Sequence, residues 1–286
     1  MKILLAGAFG KLGSDILRAL VHAGHTVVAA DMMIRSIPEI EGKYTTKEID
    51  ARDPASLSGI CDGMDAVITT IGLTATSASL TNYQIDYQGN LNLLEEAKRV
   101  GVNKFAYISV IKADSDKNVP MLHAKAMFEE ELKKSGIPYM IYRPTGYFYD
   151  IAKVFMPMIE KGEVTLLGNK AVHANVIDTT DLADFIVLNL DDENKTLDIG
   201  GTETYSYEEM ATMFFEAAGK TPVIKRAPEW LFSVLAFVNK LKKNGKEAII
   251  RFSRWTLTND LVGDNQYGKL SFKEYVNNLY KGGAKL

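Results

Sequence analysis

The chain has 286 residues, 47% hydrophobic and 24% charged, the composition of an ordinary soluble globular protein with ample material for a large core. Its 33 Lys and Arg stand against 36 Asp and Glu, a net charge of −3, which argues against nucleic acid as a main partner. The single cysteine, Cys61, allows no internal disulfide and no multi-cysteine metal site, and it reads as a small buried apolar residue.

The first 142 residues alternate strand-like and helical patterns. Strands are predicted at 2–6, 26–30, 46–49, 66–70, 104–109 and 139–142, as mostly continuous apolar runs that suit a parallel sheet covered on both faces. Helices are predicted near 12–23, 54–61, 83–100 and 121–135, where Leu91, Leu94 and Ala97 share one apolar face. Beyond Arg143-Pro144 the rhythm weakens. Strands at 163–167 and 173–177, a helix near 179–190 and a strand at 196–199 lead to helices near 205–218, 228–243 and 246–255. The fold expected is α/β, a doubly wound Rossmann-type parallel sheet with a smaller mixed C-terminal lobe. A dinucleotide-binding domain over 1–147 and a substrate or lid lobe over 148–286 are predicted, with some lobe elements returning to the first sheet. The apolar run Trp230–Val238 reads as a core helix, with lid or subunit contact as alternatives, and the basic run Lys240–Lys246 as a solvated helix end.

The first strand runs straight into Gly7-Ala8-Phe9-Gly10-Lys11-Leu12-Gly13, and a helix starts among the glycines. The first glycine permits a tight turn, the second lets backbone approach a pyrophosphate, and the third packs helix on strand. Free N–H groups at the helix start then face the phosphates. Asp31 ends the second strand, 18 residues past Gly13, where it can accept hydrogen bonds from ribose hydroxyls and repel a 2′-phosphate. NAD is therefore favoured, and Arg35 keeps NADP open.

These motifs resemble the atypical short-chain dehydrogenase/reductase superfamily. The resemblance rests on Gly7-x-x-Gly10-x-x-Gly13, Asp50-Ala51-x-Asp53-Pro54, the stretch Ile85–Leu94, Phe105–Ser109 and Tyr142–Gly146. The stretch His123–Tyr149 is similar to the NAD(P)H-binding subgroup of NmrA-like and divinyl-reductase-like proteins. The resemblance implies that Phe9, Lys11 and Leu12 belong to the cofactor turn and that Asp50 and Ala51 border the adenine. By the same likeness Thr70, Ile71 and Gly72 line the cofactor, Ser109 is the active-site serine, Lys125 holds the nicotinamide ribose, and Pro144, Thr145 and Gly146 flank the nicotinamide. Two positions depart from the pattern. Met121 stands where the family's catalytic tyrosine precedes the lysine by four residues, and Asp86 replaces a common asparagine. A thioether donates no proton, which leaves His123, or the phenols of Tyr147 and Tyr149, as substitutes.

Two functions follow from these residues: an oxidoreductase acting on a small-molecule substrate, or a non-catalytic NAD(P)H sensor or assembly factor. No cluster has metal-ligand spacing, so no metal is expected. With no secretory signal and no apolar run long enough to span a bilayer, the expected location is cytoplasmic, and a homodimer stays open.

Overall fold

The structure, a computed structural model, describes residues 1–73, 79–242 and 245–281. Lys243 of the basic run and the last residue of the helix expected to 243 lie outside them. The chain divides into two compact units, Met1–Arg143 with Ala183–Leu197, and Pro144–Leu182 with Asp198–Leu286.

The first unit opens with β1 (Lys2–Ala6), α1 (Lys11–His22), β2 (Thr26–Asp31), β3 (Thr45–Glu48) and β4 (Ala66–Thr69). A π-helix (Tyr83–Gly89) runs directly into α2 (Asn90–Val100), followed by β5 (Lys104–Ile108), α3 (Pro120–Lys134) and β6 (Tyr139–Pro144). The chain passes between the units within α5 (Thr179–Leu188), which enters the first at Ala183, and within β9 (Lys195–Gly200), which leaves it after Leu197. The second unit contains α4 (Phe148–Lys161), β7 (Val164–Leu167), β8 (His173–Ala174), β10 (Tyr205–Ser206), α6 (Tyr207–Ala217), β11 (Ile224–Ala227), α7 (Trp230–Leu241), α8 (Lys246–Thr258), β12 (Asn265–Gln266) and α9 (Phe272–Lys281).

Eight strands form one sheet in the order β12-β9-β6-β5-β4-β1-β2-β3. The pairs flanking β1 are parallel, with Ala6 level with both Ala30 and Thr69. β4, β5 and β6 continue in parallel register. The order turns outward in both directions from β1 and β4, the doubly wound pattern whose ligands gather at the carboxyl ends of the strands. Ile3, Leu4, Leu5 and Ala6 are fully buried because strands flank β1 on both sides and helices cover both faces. On one face, Leu4, Val67 and Phe105 pack with Leu93 of α2 and Phe128 of α3.

Several elements differ from the sequence reading. The helix expected over 54–61 is a 3₁₀ turn, Pro54–Leu57, with Pro54 near its start and the Asp53 side chain accepting from the Ala55 N–H. The helix expected over 83–100 begins as the π-helix. β3 is exposed at all four residues, as an edge strand can be. Helices α4 and α9 and strands β10, β11 and β12 are additional, β10 taking the first two residues of the helix expected over 205–218. Pro157 sits inside α4 and masked its helical pattern, although its buried face, with Ala152, Phe155 and Ile159, keeps the helix. In the second unit Phe148, Phe155, Phe214 and Phe272 form a chain of edge-to-face aromatic contacts. α7 is not a core helix: only Ala236 of its twelve residues is buried.

Candidate functional site

The turn after β1 is shaped by backbone. Gly7 has φ +77°, and a Cβ there would come within 2.5 Å of Thr70 Oγ1. A Cβ on Gly13 would lie 2.0 Å from the Gly7 carbonyl oxygen, so helix and turn can meet only through hydrogen at that position. Gly10 differs. Its Cβ would meet no described residue closer than Gly7 O at 3.5 Å, an ordinary contact, so nothing among the described residues requires glycine there. Gly10 is the N-cap residue of α1, with no side-chain cap and no acidic residue in the first turn. A helix start left without a cap, with a missing side chain that the protein itself could accommodate, fits an anionic group brought against the backbone. This is the feature of the structure that suits a dinucleotide diphosphate.

Side chains hold the turn in place. Asp31, at the end of β2, accepts from the Phe9 N–H at 2.9 Å and the Met32 N–H at 2.7 Å. Thr70 Oγ1 donates to Gly7 O at 2.9 Å and to Ala6 O at 3.3 Å. Lys11 is tied to the buried Asp15 at 2.6 Å, which Arg18 also meets at 3.0 Å. Asp50 is paired with Arg52, whose hydrogen bonds hold its carboxyl below the usual range. The carbonyl of Ala51 accepts from Asn92 Nδ2 at 2.8 Å.

Beyond the end of β4, Asn90 is a buried clamp. Its Oδ1 accepts from Thr69 Oγ1 at 2.8 Å, and its Nδ2 donates to the carbonyls of Ile71 at 3.1 Å and Asp86 at 3.0 Å. This fixes the backbone around Ile71 and Gly72 to the π-helix. A Cβ on Gly72 would meet Asp86 Oδ1 at 3.0 Å and Lys125 Nζ at 3.4 Å, so that loop runs directly past both charged groups.

Two rungs connect the π-helix to α3. In the first, Lys125 Nζ is 3.2 Å from Asp86 Oδ1 and donates to the Ile108 carbonyl at 3.3 Å and the Tyr107 hydroxyl at 3.4 Å. Asp86 Oδ2 accepts from Asn82 Nδ2 at 2.9 Å, whereas the buried Oδ1 has, among the described residues, the ion pair with Lys125 but no hydrogen bond. In the second, the Tyr83 hydroxyl and His123 Nδ1 are 2.9 Å apart, and the two rings meet at 90°. Regular helix spacing separates His123 from Lys125 by two residues and hence onto different faces. Here the neighbouring π-helix spans both. Tyr83 is exposed, and Tyr107 is fully buried, with its phenol pushed well above the usual range by desolvation.

Ser109 belongs to a separate buried network. Its Oγ donates to Glu129 Oε1 at 2.5 Å, and Arg143 grips the same carboxylate from Nε at 2.9 Å and an Nη at 2.5 Å. The second unit holds the segment 144–146. The Thr145 hydroxyl is buried and donates to the Asn175 carbonyl at 2.8 Å, and the Gly146 carbonyl accepts from the Ile177 N–H at 2.9 Å. Tyr147 and Tyr149 stack with ring centres 5.6 Å apart. Sequence reading missed Tyr83 and Glu129, and gave no role to Asn90 and Arg143 within the motifs that hold them. Only the buried position of Asn90 and Glu129 on otherwise apolar helix faces could have marked them.

Residues 7–193 match the model of a family described as NAD(P)H-binding. The chain belongs to that family. It is an atypical, NmrA-like short-chain dehydrogenase/reductase with an oxidoreductase-like fold. It is 28% identical over 281 residues to the photosystem II assembly factor Ycf39 of Synechocystis, covering 96% of this chain and 80% of that one. It is 26% identical over 268 residues to the chloroplastic divinyl chlorophyllide a 8-vinyl-reductase of Zea mays, covering 82% of this chain and 64% of that one. An Escherichia coli NADPH-dependent quinone oxidoreductase, solved with NADPH, superposes with a TM-score of 0.73 at 19% identity, covering 97% of this chain and 99% of that chain. Among the described residues no helix is long and apolar enough to cross a membrane, and no group of His, Cys, Asp and Glu could hold a metal ion.

Proposed function

We propose that this chain is an NAD(P)H-dependent oxidoreductase that passes a hydride to a small organic acceptor without the tyrosine usual in its relatives. The observation that carries the reading is the pair of rungs, Lys125 with Asp86 and His123 with Tyr83, on the family's catalytic helix. Bound nicotinamide would supply the hydride. Everything else falls to the chain. The N–H groups of Lys11, Leu12 and Gly13 at the start of α1 hold the diphosphate, while Gly7, Phe9 and Gly10, whose own N–H groups bond to Ala30, Asp31 and Gly7, shape the turn around it. Asp31 takes the adenosine ribose hydroxyls and disfavours a 2′-phosphate, so NADH binds more tightly than NADPH. Asp50 and Ala51 border the adenine, Thr70, Ile71 and Gly72 line the cofactor, and Pro144, Thr145 and Gly146 flank the nicotinamide, as the family resemblance implies.

Lys125 holds the nicotinamide ribose, and Asp86 keeps its ammonium in place. His123 gives the proton that the absent tyrosine would have given, because an imidazole can donate at neutral pH and a thioether at Met121 cannot. Tyr83 fixes the ring through Nδ1 and leaves Nε2 for the substrate. Ser109, its hydroxyl held on Glu129, stands where the family resemblance implies the active-site serine.

The test is NADH and NADPH oxidation against quinones, enones and carbonyl compounds. Turnover is expected to fall roughly a hundredfold in His123→Ala, the scale of a lost general acid, with cofactor affinity unchanged. Tight NADH binding with no turnover on any acceptor would overturn the reading. Met121, together with the likeness to an assembly factor, favours a second reading in that event: a non-catalytic NAD(P)H sensor whose capture of a partner changes with the nucleotide bound.

A further inference from the structure

Helix α7 presents an apolar face that nothing in the described chain covers. Seven of its large side chains are exposed, among them Trp230 at 63%, Phe237 at 60% and Leu241 at 67%. At about 100° per residue, the seven fall within an arc of roughly 160°. α8 packs on the opposite side, where Ala236 is buried. Monomeric proteins seldom leave a contiguous apolar patch of this kind without a use.

Charge identifies the occupant. Residues 229–258 carry six Lys and Arg against two Glu, a net charge of +4 in a chain of net −3. Lys240 and Lys242 are exposed at the end of α7, and Lys246 opens α8. A second copy meeting this face symmetrically would bring two +4 hairpins together. An acidic, apolar-cored surface meets both the arc and the charge. The twelve residues of α7 span about 18 Å, well short of the roughly 30 Å of a hydrocarbon core. Such a helix lies along a bilayer and does not cross it. An aromatic and aliphatic face flanked by lysines is the composition of interfacial helices.

We propose that α7, with Lys240 and Lys242 at its end and Lys246 at the start of α8, docks the protein on the surface of an anionic lipid bilayer. The apolar arc enters the region between headgroups and acyl chains, and Lys240, Lys242 and Lys246 meet the lipid phosphates.

The experiment is flotation of the full chain with vesicles of phosphatidylcholine alone or with about one-third phosphatidylglycerol, whose charge supplies the surface field. The chain should float with the anionic vesicles at least tenfold more than with neutral ones, and 0.5 M salt should release it, about the strength that screens such a field. Of the two tryptophans, Trp255 is buried, so a blue shift of emission on anionic vesicles would report Trp230 entering lipid. The Phe237→Asp/Leu241→Asp variant should lose flotation tenfold or more while keeping wild-type NADH affinity and melting temperature. Lys240→Glu/Lys242→Glu should lose the preference for anionic vesicles. Equal flotation with both lipids, equal flotation of wild type and both variants, or a dimer in sedimentation that the Phe237→Asp/Leu241→Asp variant dissolves would each overturn the proposal.

Discussion

Two apolar runs, Lys2–Ala6 and Trp230–Val238, both read in the sequence as core and end in opposite surroundings. In β1 every residue from Ile3 to Ala6 is fully buried, because a strand at the centre of a parallel sheet has neighbours on both edges and helices over both faces. In α7 one side packs against α8 and the other is open. Apolarity states what a segment needs to cover, and topology decides whether the chain covers it. The same contrast runs through the glycines of the turn: Gly13 answers to the protein's own packing, whereas no described residue close to Gly10 requires a glycine there.

Substitutions can break that contrast. Gly13→Val has the largest effect, because its Cβ would lie 2.0 Å from a backbone oxygen. It should cost about 3 kcal/mol or more, in the range of severe overpacking, and abolish nucleotide binding by calorimetry. Glu129→Gln comes next. It weakens the hold on the buried end of Arg143 and the Ser109 hydroxyl, and chemical denaturation should show a loss of about 3 kcal/mol, the scale of a broken buried pair. Gly10→Ala should leave the melting temperature at the wild-type value and lower NADH affinity about tenfold or more, which is roughly 1.4 kcal/mol. Unchanged NADH affinity in Gly10→Ala would remove the ligand explanation for that glycine. Phe237→Ser on the open face of α7 should change stability by no more than about 0.5 kcal/mol, as exposed substitutions do.

A smaller effect concerns Cys61, where burial pushes the thiol up to about 12. The folded chain keeps this proton at alkaline pH where the unfolded chain has lost it. Stability contributed by the thiol is therefore complete below the ordinary thiol range and falls as pH rises through that range toward 12. At neutral pH, alkylation of Cys61 should require unfolding, measurable by mass spectrometry with and without denaturant.

The sheet was legible because its strands are continuous apolar runs of the right length, and the glycine turn because strand, turn and helix follow in order. The side chains around Lys125 were only partly legible. His123 and Lys125 stood out as residues, but helical spacing set them on different faces, and only the π-helix beside α3 brings a partner to each. Glu129 and Arg143 are 14 positions apart, and their pairing with Ser109 is a tertiary fact that no local pattern encodes. Helix α4 was hidden by Pro157, where packing of Phe155 and Ile159 overrides local preference.

The π-helical turn from Tyr83 to Gly89 carries one more residue than an α-helix would need to advance as far along the axis. Deleting any one residue between Tyr83 and Asn90 would tighten that turn into an ordinary helix and swing its leading end by about 100° relative to α2. Tyr83 would then face away from His123 while α2 stayed docked on the sheet. Length variation at that single point could thus uncouple an imidazole from its phenol without disturbing the fold.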